Sequence, residues 1–470
     1  MLDDQLKSAL ERRRAKGTLR QLTVFSTQPS SSSSTSSASA AGNSRLIDFS
    51  SNDYLSLSSC PQVRRDFIDA FTSSPDAKLG STGSRLLDGN SAIHERLERE
   101  LVHHFDAPSG LLFNSGYEAN VSIFSTLLQP HDIVLFDSLV HASVHDGIRR
   151  SRTSQQLRLP FQHNSARDLD RILRELQQRG QLTVNRNVWL AVESVYSMDG
   201  DLCPLPALLD VLSGYLPNDR ICAVVDEAHS TGLYGRQGRG FVHSLGLHRD
   251  SRIKARLMTF GKAMGASGAV VLCSETAKQF LINYARPLIF STALGYPALF
   301  ALEAVIKALQ DKRGEQRAQS TFHNSCRLVS GLNSFNSTQG SQEILSLPQH
   351  LLPGQSGAQL DAASMPTTID DDHITQTLAS PSPIIPLLTP HARSLAAYLR
   401  QNGLLARPIC YPTVPRGEDR VRICLHADNT PRDVDRLIAC VAQWVRSQQH
   451  GPSTPASSSN IASPMLASKL

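Results

Sequence analysis

The sequence predicts an α/β protein: a large domain on a mostly parallel sheet, followed by a smaller C-terminal α/β unit. Three observations carry that expectation. Short apolar runs recur at residues 110–113, 133–136, 188–192, 221–225, 256–259 and 268–273, each of strand length and bounded by turn residues. Amphipathic helical patterns lie between them, as at 92–104, 166–179 and 274–284. Strands apolar on both faces and separated by helices form parallel sheets, in which ligands sit beyond the carboxyl ends of the strands. Residues just past each strand are therefore the ones to inspect.

Residues 3–22 are charged and compatible with a helix, with a basic cluster at Arg12, Arg13 and Arg14. Asp3, Asp4 and Glu11 argue against an organelle transit peptide, which is poor in acids. A Ser/Ala tract at about 29–44 offers too little apolar surface to order itself, so residues 1–45 form an N-terminal segment with a linker. The large domain is expected over 46–296. The small domain, 297–448, opens with a long helix at 297–318 and closes with strand, helix and strand near 384–387, 391–403 and 420–426. Inside it, a stretch rich in Gly, Ser, Pro and Gln at about 330–380 reads as a surface insertion. Residues 449–470 read as a disordered tail.

With 40% apolar and 19% charged residues, the composition is that of a globular protein with a sizeable core. The net charge is +5 over 470 residues with no basic block, which suits anionic small substrates and is no nucleic-acid footprint. No apolar run approaches the ~18 residues of a membrane span. The eight cysteines include no C-x-x-C pair, and Cys222 and Cys273 lie in apolar strands. They read as buried thiols of a reducing compartment, so neither a zinc centre nor a disulfide scaffold is expected.

Four stretches could carry chemistry. In Thr259-Phe260-Gly261-Lys262-Ala263-Met264-Gly265 a lysine follows an apolar strand among small residues that let a bulky ligand approach the backbone. Lys262 is either a solvated loop lysine or, if buried, an amine of lowered pKa suited to a Schiff base. It is not a phosphate-loop lysine, because Ala263 follows it and the first glycine of that motif is missing. In Val224-Val225-Asp226-Glu227-Ala228-His229 a carboxylate ends a hydrophobic strand and needs a cationic partner. A protonated pyridine nitrogen would be one, with His229 in reach of a neighbouring ring oxygen. The same letters spell the acidic box of certain helicases, a reading with little support in the absence of a phosphate loop. In Asn114-Ser115-Gly116-Tyr117 a strand turns into a helix whose free amides and serine hydroxyl can cradle a phosphate. In Asp137-Ser138-Leu139-Val140-His141 a histidine just past a strand is either structural or stacks on an aromatic ring. Together, lysine, ring-nitrogen carboxylate, stacking histidine and phosphate cradle are the parts that pyridoxal phosphate requires.

Further motifs run in order from about Leu19 to Val445: Asn52-Asp53-Tyr54-Leu55, Gly80-Ser81-Thr82-Gly83-Ser84-Arg85, Ser197-Met198-Asp199-Gly200, and Pro412-Thr413-Val414-Pro415 before Arg420-Val421-Arg422. With these the sequence resembles the α-oxoamine synthases. That resemblance implies the aspartate-aminotransferase fold (pyridoxal-phosphate fold type I), pyridoxal 5'-phosphate as cofactor, and condensation of an amino acid with an acyl-CoA. Position by position it implies Lys262 as the Schiff-base lysine, Asp226 on the pyridinium nitrogen, His141 stacked on the ring, and His229 with Ser197 at the phenolic oxygen. Ser115, Gly116, Tyr117 and Thr259 would hold the phosphate. Ser291 or Thr292 would reach the phosphate of a neighbouring subunit, which implies a homodimer. Arg422 and Asn52 would receive the amino-acid carboxylate, Thr413 belongs to a substrate-binding turn, and Arg20 to the acyl substrate's far end. No metal site is implied, and neither a nucleic acid nor a membrane is an expected partner.

Within that family, the run 80–87 and the pair Arg420 and Arg422 resemble the branch that joins L-alanine to pimeloyl-CoA in biotin synthesis. Two positions depart. Cys410 stands where that branch often has arginine and Asp88 where serine is common, and both bear on the acyl chain. The alternatives are a glycine-using member that takes acetyl-CoA or succinyl-CoA, and a catalytically silent partner subunit, which need not keep Lys262, Asp226 and His141 together. The chain ends in Ser468-Lys469-Leu470, the address read by the peroxisomal import receptor. A peroxisomal location is expected, with the cytoplasm as the alternative.

Overall fold

The computed structural model describes residues 1–28, 46–339, 343–353 and 378–449. The Ser/Ala tract, the middle of the expected insertion at 354–377 and the tail that carries Ser468-Lys469-Leu470 lie outside the described residues. The chain begins with helix α1 (Leu2–Ala15) and two short strands paired in parallel, β1 (Thr27–Gln28) and β2 (Leu46–Asp48). Helix-compatible charge runs on to residue 22, but α1 stops at Ala15. Gly17 takes φ 64°, and residues 18–26 form no helix.

The central sheet comprises β3 (Ser109–Phe113), β4 (Ile133–Asp137), β5 (Arg158–Phe161), β6 (Val188–Glu193), β7 (Ile221–Asp226), β8 (Ile253–Thr259) and β9 (Ala269–Cys273). Its order is β3-β9-β8-β7-β6-β4-β5. The block from β5 to β8 is parallel, and β9 runs antiparallel to both β8 and β3. Every residue of β3, β4, β6, β7 and β9 is buried, which is why these strands read as unbroken apolar runs. Strand β5 is the edge strand that the sequence concealed: it carries Pro160 and only Phe161 is buried, so it has no apolar signature.

Helices cover both faces: α2 (Pro61–Ser73), α3 (Ala92–His104), α4 (Gly116–Thr126), α5 (Ala142–Arg150), α6 (Ala166–Gln178), α7 (Leu205–Ser213), α8 (Phe241–Ser244), α9 (Glu275–Tyr284), α10 (Arg286–Phe290) and α11 (Tyr296–Gln310). Side chains alternate across the sheet as the pleat requires. Val134, Trp189, Val224 and Leu257 pack with Phe124 and Val144 on one face. Leu135, Leu190, Val225 and Met258 pack with Leu97, Leu173, Leu208 and Ile306 on the other. Ser91, Ser165 and Ser274 cap α3, α6 and α9 by accepting the amide three residues on, a contact worth about 1 kcal/mol each.

The expected helix at 297–318 is two helices. Asp311 is extended at φ −93°, ψ 173°, and its Oδ1 accepts the Arg313 amide at 2.8 Å, so it closes α11 and caps α12 (Lys312–Gln339). Helix α12 links the cores: Phe322 packs under the large sheet, Leu328 and Leu332 in a second cluster. That cluster lies on the antiparallel sheet β10-β13-β12, with β10 (Ile384–Leu388), β12 (Arg407–Ile409) and β13 (Arg420–Cys424). Helices α13 (Ala392–Gln401) and α14 (Pro431–Gln449) complete it, and β11 (Leu404–Leu405) joins β2. The stretch expected to begin as an insertion at residue 330 is still helical to Gln339, and Leu345, Leu347 and Leu351 are buried in this core.

Glu227 is a structural acid in the core. It is fully buried, accepts from Arg256 Nε at 2.7 Å and Ser230 Oγ at 3.0 Å, and leaves no room for a side chain at Gly240. Removing one partner of such a pair strands a buried charge. Glu227→Ala is expected to lower stability by about 3–5 kcal/mol in urea unfolding. The same variant should retain the site chemistry in whatever fraction stays folded.

Candidate active site

The carboxyl ends of the parallel strands bring the predicted residues together. Lys262 lies in the turn just after β8 and is half-buried. Its Nζ sits 2.9 Å from His229 Nε2, and His229 Nδ1 is 2.8 Å from the Tyr54 hydroxyl. Tyr54 donates to Asn52 Oδ1 at 3.1 Å, and Arg422 NH2 donates to Asn52 Oδ1 at 3.0 Å and to the Tyr54 oxygen at 3.3 Å. With Tyr54 donating to Asn52, His229 donates through Nδ1 and Lys262 donates to His229 Nε2. One partly buried line of hydrogen bonds thus runs from the lysine amine to the β13 arginine.

Burial works against the charged forms of Lys262 and His229. Burial holds the Lys262 amine below its ordinary value, against the pull of Asp226 and Glu193. Burial, with Lys262 close by, holds His229 well below the usual histidine range. Tyr54 is pushed up by its complete burial and keeps its proton.

Asp226 ends β7, where Asn120 Nδ2 donates to its Oδ2 at 2.7 Å and the Ala228 amide to its Oδ1 at 2.9 Å. Asn120 also donates to Ser143 Oγ at 3.0 Å, and Ser143 Oγ meets His141 Nδ1 at 2.7 Å. A second line of polar contacts therefore links the carboxylate to the histidine that opens α5. Burial lowers the His141 pKa as well. Glu193 is the register partner of Asp226 on β6; burial first and then that neighbouring carboxylate push it well above the ordinary range.

Ser115 caps α4 by accepting the Glu118 amide at 3.2 Å, which leaves the Gly116 and Tyr117 amides at the helix start without intrahelical partners. A Cβ at Gly116 would lie 2.5 Å from Thr259 Cγ2, so only glycine permits this approach of helix start and strand end. Tyr117 reaches Asp146 through its hydroxyl and stands edge-on to His141.

Other predicted residues are not drawn into this network. Ser197 is half-buried in the loop after β6, while the serine bonded into the Asp226 turn is Ser194, through the Asp226 carbonyl at 3.1 Å. Thr413 is exposed in a turn where its amide donates to the Cys410 carbonyl. Arg20 is exposed on the N-terminal segment. Ser291 and Thr292 follow α10, with the Thr292 carbonyl held by Asn114 Nδ2 at 2.8 Å. Asn120, Ser143 and the role of Tyr54 escaped the sequence reading, because a polar residue inside a helix, like a tyrosine in a turn, carries no positional signal until its partners are known.

Residues 44–441 match the family model of aminotransferase class I and II. This chain belongs to that family. It is 39% identical over 448 residues to the 8-amino-7-oxononanoate synthase of Emericella nidulans, covering 95% of this chain and 96% of that one. It is 32% identical to the aminoacyl transferase sphA of Aspergillus fumigatus, over 85% of this chain and 80% of the relative. The fold is that of the serine palmitoyltransferase of Sphingomonas wittichii, with a TM-score of 0.69, 24% identity and 87% and 89% of the two chains covered. The chain is thus a pyridoxal-phosphate-dependent acyltransferase of the α-oxoamine synthase kind within the class I and II family, with the aspartate-aminotransferase fold.

The residues present fit that cofactor. A desolvated amine faces a buried carboxylate across the strand ends, and a helix start with uncommitted amides approaches Thr259. Arg422 Nε, at one end of the first polar line, and Asn120 Oδ1, within the second, are buried without partners among the described residues. Gly116→Ala is expected to weaken pyridoxal-phosphate binding about tenfold or more, because overpacking here costs ~1–3 kcal/mol at the cradle itself. Reconstitution of the apoprotein, followed by tyrosine and tryptophan fluorescence, would measure it.

Proposed function

We propose that the chain condenses L-alanine with pimeloyl-CoA, releasing CoA and CO2 and giving 8-amino-7-oxononanoate. The observation that carries this reading is the partly buried line from Arg422 through Asn52, Tyr54 and His229 to Lys262. It joins a guanidinium to an amine through hydrogen-bonded side chains, which supports reading Arg422 as the receiver of a carboxylate and Lys262 as the base. Likeness to the Emericella synthase along nearly the whole chain supports the choice of substrates.

Bound, the cofactor supplies an electrophilic carbon and a ring that takes up negative charge from the amino acid's Cα. Lys262 would take its aldehyde carbon, Asp226 the ring nitrogen, His141 the ring face, His229 and Ser197 the phenolic oxygen, and Ser115, Gly116, Tyr117 and Thr259 the phosphate. Arg422 and Asn52 hold the alanine carboxylate, which sets the Cα–H bond toward Lys262. Freed when the alanine amine takes its place on the aldehyde carbon, the Lys262 amine would remove that proton. Asn120 and the Ala228 amide fix the Asp226 carboxylate so that it needs no reorganisation as charge develops. Cα then bonds to the thioester carbonyl carbon and CoA leaves as thiolate, protonated from water. The alanine carboxylate leaves as CO2, and Lys262 returns a proton to Cα.

A matrix of amino acids against acyl-CoA thioesters, read by CoA release, tests the substrates. Preference for alanine with pimeloyl-CoA supports the proposal, and preference for glycine or serine overturns it. A second reading, another acyl length on the same chemistry, draws on the aminoacyl transferase relative and on Cys410, whose half-buried thiol lies beside Asp419 and Arg393 instead of presenting an arginine.

A homodimer and peroxisomal import are parts of the same proposal. Leu79, Leu87 and Phe290 are 82%, 75% and 70% exposed, and hydrogen bonds from Ala293 to Gly83 and from Ser81 to Leu294 join the loop of the two leucines to the segment that follows Phe290, the last residue of α10. This apolar surface beside Ser291 and Thr292 is what a second copy would cover. Light scattering at micromolar concentration should give twice the chain mass; an active monomer would contradict it. A fluorescent fusion should reach peroxisomes with Ser468-Lys469-Leu470 in place and stay cytosolic without it, and equal distribution of the two contradicts import by that tail.

A further inference from the structure

His163 lies outside every motif that pointed to the cofactor, yet it joins the two turns that carry the predicted ring contacts. It follows the edge strand β5, and its ring is wedged between two carboxylates. Nδ1 is 2.9 and 3.1 Å from the two oxygens of Asp137, and Nε2 is 2.8 Å from Asp201 Oδ2. Asp137 is the last residue of β4, fully buried, and its Oδ1 also accepts the Leu139 amide at 2.8 Å, two residues before His141. Asn164 doubles the bridge, with its amide on Asp137 at 2.7 Å and its side chain on Asp201 at 2.7 Å. On the other side, the Asp201 carbonyl accepts the Tyr196 amide, and Tyr196 stands edge-on to the His163 ring at 4.3 Å. Ser197 and Asp199 lie in that same turn, and Asp199 is ion-paired to buried Arg420 of β13. Gly200, at φ 73°, packs so closely on the Ile384 carbonyl of β10 that a Cβ would fall 2.0 Å from it.

We propose that His163 is a positioning residue: a cationic clamp between Asp137 and Asp201 that fixes the His141 turn against the Ser197 turn, and through Asp199 and Arg420 against the small domain. The inference rests on the cofactor reading given above. A neutral ring has one N–H and could satisfy only one of the two carboxylates, whereas the imidazolium donates to both. Burial opposes the charge, but the bonds to Asp137 and Asp201 outweigh it and push the histidine up to about 10. The turn is therefore held by charge at physiological pH, not by packing alone.

Two measurements test the clamp. In the wild-type chain with labelled histidine, nitrogen NMR at pH 8 should show the His163 ring doubly protonated; a neutral ring at that pH overturns the proposal. In His163→Gln, the visible circular dichroism of the bound cofactor should fall at least twofold and the pyridoxal-phosphate Kd should rise about tenfold, as a misoriented ring requires. His163→Gln with Asp201→Asn, which removes the stranded charge, should recover part of both. A variant that loses thermal stability while its dichroism and Kd stay within twofold of wild type would make His163 a structural residue only. If His163→Gln does not fold, the NMR result decides. A wild-type chain that binds no pyridoxal phosphate would sink the functional reading, and the NMR arm would still judge the clamp.

Discussion

Lys262→Ala is expected to leave a folded chain that releases CoA about a thousandfold more slowly than wild type, or slower. The side chain has two uses in the proposed reaction, as the covalent anchor of the cofactor and as the base that takes the α-proton, and no neighbour can assume both. His229, whose Nε2 is 2.9 Å away, is the nearest candidate, but burial depresses the basicity of its ring while Tyr54 holds its Nδ1. Because Nζ enters one hydrogen bond among the described residues, the melting temperature should move by a few degrees at most. CoA release and thermal melting, measured on one preparation, separate the two effects. A loss of less than tenfold would mean that another base does the work.

Asp226→Asn should cost about a hundredfold to a thousandfold in turnover, the scale of removing one preorganised electrostatic contact from a dry site. The carboxylate is pinned from two sides, by Asn120 and by the Ala228 amide, so the amide variant fits the same space and loses chiefly the charge. The cofactor should still bind, with a shifted visible spectrum, since the cradle of Gly116 and Thr259 is untouched. Equal turnover of the two proteins would place the ring nitrogen elsewhere. Glu193 provides the internal control: it is the register partner of Asp226, and burial pushes its pKa well above the ordinary range, so Glu193→Gln should be mild.

What the sequence discloses and what it hides follow from the same physics. Strands β4, β6 and β7 are legible because both of their faces are buried, and Lys262 and Asp226 stand out because a charge directly after such a strand is costly without a partner. Strand β5 is invisible because one proline-bearing edge strand buries a single side chain. The split between α11 and α12 is equally silent, since Asp311 suits a helix cap and an exposed helical surface alike. Asn120, Ser143 and His163 act through partners 23 to 106 residues away in the chain, and no local pattern announces such contacts. Glu227 shows the converse. It sits inside the same four-residue motif as Asp226, yet it points to Arg256 and into the core.

The most direct test of the account is to treat the purified holoprotein with borohydride, digest it and locate the added mass. The prediction is a single phosphopyridoxyl group on Lys262, in the peptide that follows β8, and none in protein first exposed to excess L-alanine. Label on a different lysine, or a chain that takes up no label at all, would contradict it.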